Sequence, residues 1–171
     1  MDNLAHAAKL IAGRLANGHK IMLFGNGGSA ADAQHIAAEF VNRFVVERPP
    51  LAAMALTTDT SILTSIGNDY DFDEVFSKQI LALGQKDDIA IGISTSGNSG
   101  NVLKAFKSAR DAGIFTMGMT GRGGKIKDLA DMVLTVGSDA TPRIQETHIF
   151  MGHILCELVD RIMFPESFKG N

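Results

Sequence analysis

Residues 89–112 read IAIGISTSGNSGNVLKAFKSARDA, and this stretch decides the fold class. Its first five residues are apolar and rich in isoleucine, which is typical of a short strand buried on both faces of a sheet. From Val102 to Ala112 the apolar residues recur at helical spacing. The stretch therefore predicts a strand, a loop rich in hydroxyl groups and a helix, as in the first half of a βαβ unit.

The same alternation continues on both sides of this stretch. Strands are predicted at Ile21–Phe24, Leu51–Leu56, Ile89–Ile93, Ile114–Met119 and Met132–Val136, and helices at Asn3–Ala16, Ala30–Phe44, Asp73–Leu83, Val102–Ala112 and Ile126–Ala130. Strands that alternate with helices are joined by right-handed crossovers into a parallel sheet.

We therefore predict one three-layer α/β/α domain over residues 1–171, of flavodoxin or Rossmann type, with a five-stranded parallel sheet. An N-terminal helix at 3–17 precedes an α/β core at 20–137, and a long helix at 142–164 closes the chain. For this closing helix we predict Thr141 as the N-cap, Pro142 as the first residue and Pro165 as the stop signal.

Composition excludes several classes of protein. With 45% hydrophobic and 20% charged residues, the 171-residue chain is neither disordered nor a rod. A net charge of −3 and the lack of a Lys/Arg run argue against nucleic-acid binding. No apolar run reaches the roughly 18 residues of a membrane span, and Met1–Leu4 is no leader, so we expect a cytoplasmic protein without a membrane partner. The one cysteine, Cys156, lies among apolar residues and is predicted to be a buried structural thiol.

A glycine-rich loop, Gly25-Asn26-Gly27-Gly28-Ser29, follows the first predicted strand. Its glycines allow the backbone to approach a ligand closely, and we predict Ser29 as the helix cap, with Asp32 as its capping-box partner. The loop is also compatible with a plain tight turn. A dinucleotide fingerprint is a third interpretation, but the acidic residue expected about 20 positions on is missing, since Asp59 comes later.

Four hydroxyl residues follow the third strand, in the loop Ser94-Thr95-Ser96-Gly97-Asn98-Ser99. Hydroxyl groups and the free N–H groups at a helix start favour an anion, so we predict a phosphate monoester site. No lysine follows the glycine, which excludes a Walker A loop and a triphosphate. The alternative is an ordinary helix cap, which needs one hydroxyl rather than four.

Two pairs of polar residues lie on predicted helices. His35 and Glu39 are four residues apart and therefore share a helix face, beside the glycine-rich loop. Gln145 and His153 lie eight residues apart on the closing helix, roughly 80° apart around its axis. Each residue alone is most simply a surface or partly buried helix residue. Their spacing permits a metal site but does not establish one, since glutamine is an uncommon zinc ligand.

Taken together, several of these segments resemble the sugar isomerase (SIS) domain, and more specifically the phosphoheptose isomerases. The resemblance is carried by Gly25–Ser29, residues 33–39, Gly67-Asn68-Asp69, Ile93–Ser99 and Arg143–Glu146, and it extends from about Leu10 to about Phe164. It implies a homotetramer with active sites between subunits. It also implies conversion of sedoheptulose 7-phosphate to D-glycero-D-manno-heptose 7-phosphate through an enediol(ate). It leaves open whether the product is used in the synthesis of lipopolysaccharide, capsule or another glycan.

The resemblance also implies roles for individual residues. One zinc ion per subunit would be held by His35, Glu39, Gln145 and His153, of which Glu39 is also the general base and His153 the acid/base group. The phosphate-binding residues would be Ser94, Thr95, Ser96 and Ser99, and those that bind the rest of the substrate would be Asn26, Gly27, Gly28, Ser29, Arg43, Thr58, Asp59 and Gln145. Family members usually carry a further helix before the segment equivalent to Asn3–Ala16.

Two other functions are weighed against an isomerase. A SIS-fold scaffold that binds the bacterial replication initiator as a tetramer resembles the chain at Asn42–Phe44, Glu47–Pro49 and Phe164-Pro165. That scaffold lacks the equivalents of Glu39 and His153, and both are present here. A regulator that senses sugar phosphates would not need an acid/base pair. The sequence therefore favours an enzyme.

Overall fold

The computed structural model describes residues 2–168, which contain five strands and seven α-helices. The strands are β1 (Ile21–Gly25), β2 (Ala53–Ala55), β3 (Ile89–Ser94), β4 (Phe115–Thr120) and β5 (Met132–Thr135). The helices are α1 (Asp2–Ala16), α2 (Gly28–Val41), α3 (Thr60–Asp69), α4 (Ser77–Leu83), α5 (Gly100–Asp111), α6 (Ile126–Leu129) and α7 (Thr141–Met163), and short 3₁₀ turns lie at Phe72–Glu74 and Pro165–Phe168.

The five strands form one parallel sheet in the order β2-β1-β3-β4-β5. Ile21 pairs with Ala53 on one side and with Ile89 on the other, so β1 and β3 are neighbours in the middle of the sheet. This arrangement confirms the predicted single α/β domain with a five-stranded parallel sheet.

Helices cover both faces of the sheet and enclose two apolar cores. One core contains residues of α1, α2 and α7, and the other contains residues of α4, α5 and α6 with α3 at its border. The chain therefore leaves β1 toward one face and leaves β3 toward the other. In a parallel sheet, a ligand crevice opens at the carboxyl ends of two neighbouring strands whose connections diverge in this way.

Strand burial follows position in the sheet. All residues of β1 and β3 are buried, as their continuous apolar runs predicted, whereas the three residues of β2 are only half-buried. The prediction that every strand is buried on both faces is therefore wrong for β2, which lies at the edge of the sheet and has a neighbouring strand on one side only. It is also shorter than the predicted strand Leu51–Leu56.

Helix α3 was not predicted from the sequence. None of its residues is fully buried, although Leu63 and Ile66 pack against the second core from one side of the helix. Asp59 caps it, since its carboxylate accepts a hydrogen bond from the backbone N–H of Ile62 at 2.9 Å. The single helix predicted at Asp73–Leu83 is instead a 3₁₀ turn followed by α4.

Two predicted helix caps are wrong. The N-cap of α2 is Gly27, whose φ of +56° suits glycine, and Ser29 lies buried within the first turn. Ala140 precedes α7, so Thr141 is its first helical residue rather than its cap. In both cases a hydroxyl beside a helix start resembled a cap in the sequence, while the backbone turned one or two residues earlier.

No helix within residues 2–168 is long and apolar enough to cross a membrane. Cys156 is completely buried on α7, and burial raises the pKa of its thiol to about 12. Its surroundings therefore match the prediction of a structural thiol.

Candidate active site

Two histidines and a glutamate converge where α2 lies against α7. The Nε2 atom of His35 is 2.9 Å from the Nε2 atom of His153 and 3.3 Å from Oε1 of Glu39. One potential ligand atom from each of the three residues lies within 4.8 Å of the other two. The structure thus brings together three of the four residues that the resemblance assigns to a metal.

Close helix packing makes this convergence possible. His35 and Glu39 project from adjacent turns of α2, while His153 comes from α7. Beside them, a Cβ atom on Gly152 would lie 2.5 Å from Cδ1 of Ile36, so a larger residue at this position would require the Ile36 side chain to move. The ring of Phe44 covers His153 at a centroid distance of 5.2 Å.

The donors of this cluster suit a zinc ion. Imidazole nitrogen and carboxylate oxygen are ordinary zinc ligands, and tetrahedral coordination with bonds near 2 Å places ligand atoms about 3.3 Å apart. The distances of 2.9 Å and 3.3 Å around Nε2 of His35 are close to that spacing.

Gln145, the fourth assigned ligand, lies about two turns before His153 on α7. Its amide packs against the first turn of α2, where a Cβ atom on Gly28 would lie 2.3 Å from its Nε2. The structure therefore places the amide of Gln145 beside the glycine-rich loop. The absence of a side chain at Gly28 makes room for this amide.

Asp32 lies one turn before His35 on the same helix. Its Oδ2 atom is buried and has no hydrogen-bond partner within residues 2–168, and burial raises the pKa of this carboxyl, an effect that nearby His35 opposes. Asp32 is therefore not the capping-box partner that the sequence predicted.

The hydroxyl loop after β3 folds around its own side chains. The Oγ atom of Ser94 is 2.9 Å from that of Ser99 and 3.5 Å from that of Ser96. Gly97 turns the loop with a φ of +67°, and a Cβ atom there would lie 2.4 Å from the carbonyl oxygen of Gly123. Three of the predicted hydroxyls thus converge above the first turn of α5.

A cleft of about 330 Å³ opens beside this loop. Thr95 and Ser96 line one side of it, and Arg122 and Thr141 are among the residues on the other. Arg122 is the charged neighbour that the sequence prediction of neutral donors did not include, and it also forms an exposed ion pair with Asp139 at 3.2 Å.

The glycine-rich loop is joined to the first turn of α5, directly after the hydroxyl loop, by a pair of amides. Nδ2 of Asn26 donates to Oδ1 of Asn101 at 2.9 Å, and Nδ2 of Asn101 donates back to Oδ1 of Asn26 at 2.8 Å. Asn101 is buried in the first turn of α5. The pair therefore ties together the two loops that flank the crevice between β1 and β3.

The remaining residues assigned to the sugar pocket contact other parts of the structure. The carboxylate of Asp59 is engaged in capping α3, and the hydroxyl of Thr58 donates to the carbonyl oxygen of Ala55 at 3.3 Å. Arg43 lies beyond the end of α2, half-exposed, and its Nε pairs with Glu47 at 2.8 Å. Ser29 is buried within α2.

Comparison with known proteins assigns the family. The family model for the SIS domain matches residues 1–121. A phosphoheptose isomerase from Nitratidesulfovibrio vulgaris (strain Miyazaki F) is 60% identical over 164 residues, which cover 95% of this chain and 79% of the relative. The chain belongs to the phosphoheptose isomerase family.

Solved structures of phosphoheptose isomerases show the same fold. The enzyme from Francisella tularensis aligns with a TM-score of 0.91 and 41% identity, over 94% of this chain and 86% of that one. The enzyme from Neisseria gonorrhoeae aligns with a TM-score of 0.88 and 50% identity over the same shares. Membership of this enzyme family disfavours the non-catalytic scaffold and the regulator.

Two residues that shape this phosphoheptose isomerase site were missed in the sequence. Asn101 lies just after the hydroxyl loop, and its partner Asn26 is 75 positions away, so no local pattern indicates the pair. Gly152 lies in the interior of the long helix α7. A glycine inside a helix costs about 1 kcal/mol relative to alanine, and this cost was the available signal of a close helix contact.

Proposed function

We propose that this phosphoheptose isomerase family member converts sedoheptulose 7-phosphate to D-glycero-D-manno-heptose 7-phosphate through an enediol(ate). The observation that carries the proposal is the convergence of the Glu39 carboxylate with the His35 and His153 imidazoles. An aldose–ketose isomerase moves one proton between adjacent carbons and another between their oxygens. A carboxylate and an imidazole are the side chains suited to these two transfers.

In the proposed reaction, Glu39 removes a proton from C1 of the ketose, and the electron pair of that C–H bond forms the C1–C2 double bond of the enediol(ate). His153 moves a proton between the oxygens on C2 and C1. The protonated carboxyl of Glu39, whose proton exchanges with solvent while the enediol(ate) is bound, then protonates C2, which leaves the carbonyl on C1 and regenerates the carboxylate. No proton is lost or gained overall.

One zinc ion per subunit belongs to the proposal, held by His35, Glu39, Gln145 and His153. When bound, zinc supplies a Lewis acid that stabilises negative charge on oxygen. The support for it is the donor set itself, since two imidazole Nε2 atoms and a carboxylate oxygen lie as close together as the ligands of one metal.

The phosphate group of the substrate is proposed to bind Ser94, Thr95, Ser96 and Ser99. Support comes from the convergence of three of these hydroxyls and from the position of the loop at the start of α5, where backbone N–H groups have no intrahelical partner. A phosphate there is remote from C1 and C2 of a seven-carbon sugar. Its binding energy can then align the reacting carbons with Glu39 and His153.

Replacing Thr95 with valine tests this anchor. The change keeps the side-chain shape and removes one donor, so we expect binding of the phosphate group to weaken by roughly 1–3 kcal/mol. Inorganic phosphate should become a weaker competitive inhibitor by the same factor. Thr135→Val on the exposed side of β5 is the matched control. Unchanged substrate affinity and phosphate inhibition in both Thr95→Val and Ser96→Ala would move the anchor to Gly25–Ser29.

The remaining predictions complete the proposed enzyme. Asn26, Gly27, Gly28, Ser29, Arg43, Thr58, Asp59 and Gln145 are proposed to contact the sugar, and the protein is proposed to act as a homotetramer in the cytoplasm. Asn26 and Gly28 have the best structural support, because the first is tied to the hydroxyl loop and the second contacts Gln145.

A panel of ketose phosphates with five, six and seven carbons tests the substrate. We expect ¹³C NMR to show an aldose 7-phosphate forming from sedoheptulose 7-phosphate, with turnover of the shorter sugars much slower. Equal turnover of hexose phosphates would replace the proposal with a broader sugar-phosphate isomerase.

A further inference from the structure

A buried arginine joins the two helices of the candidate site. Arg48 follows α2 in the chain, and its side chain is 0% exposed. Its Nε donates to Oδ1 of Asp160 on α7 at 2.9 Å, and the side chain of Asp160 is 1% exposed. The other guanidinium nitrogens donate to four backbone carbonyl oxygens, those of Glu39 (2.8 Å), Phe40 (2.8 Å), Asn42 (3.1 Å) and Pro49 (3.2 Å).

These contacts provide hydrogen-bond donors and a positive charge at the carboxyl end of α2. The last carbonyls of a helix have no intrahelical partner, and the negative end of the helix dipole favours a cation. The planar guanidinium of Arg48 satisfies several carbonyls at once, which the single ammonium of lysine cannot do in the same geometry. Asp160 balances the buried positive charge, so neither partner can be removed without leaving the other uncompensated.

We call the contacts of Arg48 with Asp160 and with the end of α2 the clamp. The clamp lies near both proposed acid/base residues. Arg48 holds the backbone of Glu39 itself. Asp160 follows His153 by seven residues, so the two project from the same face of α7 about two turns apart. Gly152 and Ile36 form the second contact between the helices, next to His153 and His35. The carboxylate of Glu39 and the imidazole of His153 therefore lie between two points at which α2 is held against α7.

We propose that Arg48 and Asp160 are positioning residues that set the place of Glu39 relative to His153. This inference rests on the proposed function. Neither residue touches the reacting carbons. They act by holding the end of α2 in register with α7, so that the base and the acid/base group stay within reach of one substrate.

The test compares two buried carboxylates. Asp160→Asn keeps the size of the side chain and removes its charge. Asp88→Asn is the matched control, because Asp88 is equally buried and pairs with Lys20 at 2.5 Å, but its partners Lys20 and Gln85 lie on neither α2 nor α7. Both variants are expected to unfold at a lower temperature than the wild type, since each weakens a buried ion pair.

Their kinetics are expected to differ. Measured well below both unfolding temperatures, Asp160→Asn should lower kcat for sedoheptulose 7-phosphate by at least about ten-fold, with little change in KM, because a misplacement of about 1 Å costs up to 100-fold in rate. Asp88→Asn should keep the wild-type kcat. A wild-type kcat in Asp160→Asn, or an equal loss in both variants, would show that the clamp only stabilises the fold.

A second readout separates this inference from the proposed function. In chelator-treated protein, ¹⁵N spectra of the imidazoles report the contact between Nε2 of His35 and Nε2 of His153. Asp160→Asn and Arg48→Lys should both shift these signals, and Asp88→Asn should not. A wild type that fails to turn over sedoheptulose 7-phosphate would contradict the proposed function alone. The spectra would then still test whether Arg48 and Asp160 position the two histidines. Unshifted signals in both Asp160→Asn and Arg48→Lys would overturn the positioning role. If Asp160→Asn does not fold, Arg48→Lys alone is used for this test.

Discussion

Turnover of sedoheptulose 7-phosphate is expected to fall by about 10²–10⁴-fold when Glu39 is replaced by glutamine, since a positioned general base contributes a factor of that size. Glutamine has the same shape but cannot accept the proton from C1. Glu39 is about a quarter exposed, so the neutral side chain should leave the unfolding temperature near that of the wild type. Steady-state kinetics together with substrate binding by calorimetry check the result, and binding should be largely retained.

Glu157→Gln is the matched control for this variant. Glu157 lies one turn after His153 on α7, half-exposed, and pairs with Arg161 rather than with the cluster. Its replacement should leave turnover unchanged. Wild-type turnover in Glu39→Gln would show that another group is the base, with Asp32 on the same helix as the next candidate.

Loss of a metal ligand is expected to have an effect of similar size. Protein purified without chelator should contain about one zinc ion per chain, and His35→Ala should lower zinc affinity by at least about 100-fold, since even residues behind the ligands contribute 10- to 100-fold. Activity should fall with the metal content and return when zinc is added to chelated wild-type protein. Elemental analysis and activity after dialysis against a chelator measure both.

His6→Ala on α1 is the control for that experiment, because His6 is exposed and outside the cluster. Full activity in metal-free wild-type protein would leave His35, Glu39, Gln145 and His153 as polar pocket residues. Zinc that is present but dispensable for turnover would contradict a catalytic role for the ion and indicate a structural one.

The order of elements in the fold could be predicted because it depends on local patterns. Continuous apolar runs marked β1 and β3, helical spacing marked α2 and α5, and Pro142 and Pro165 marked the ends of α7, so the parallel sheet followed from the sequence. Helix α3 was missed, although Leu63 and Ile66 recur at helical spacing and pack against the second core. Its capping residue, Asp59, was a signal that sequence reasoning did not use.

The candidate site was predictable only in part, for a physical reason. The helical spacing of His35 and Glu39 is local, whereas their meeting with His153 depends on how α2 packs on α7. The Arg48–Asp160 pair spans 112 positions, and an arginine in a connecting segment resembles an ordinary surface residue. Such contacts follow from tertiary packing, and no periodicity or spacing in the sequence indicates them.

Proton exchange at the reacting carbons tests the proposed function most directly. Sedoheptulose 7-phosphate is incubated with the enzyme in deuterated water, and deuterium at C1 of the recovered ketose and at C2 of the product is measured by NMR and mass spectrometry. If Glu39 removes the C1 proton and returns one to C2, the wild type will introduce deuterium at these carbons and Glu39→Gln will not. Deuterium exchange and turnover that persist unchanged in Glu39→Gln would contradict proton transfer by this carboxylate.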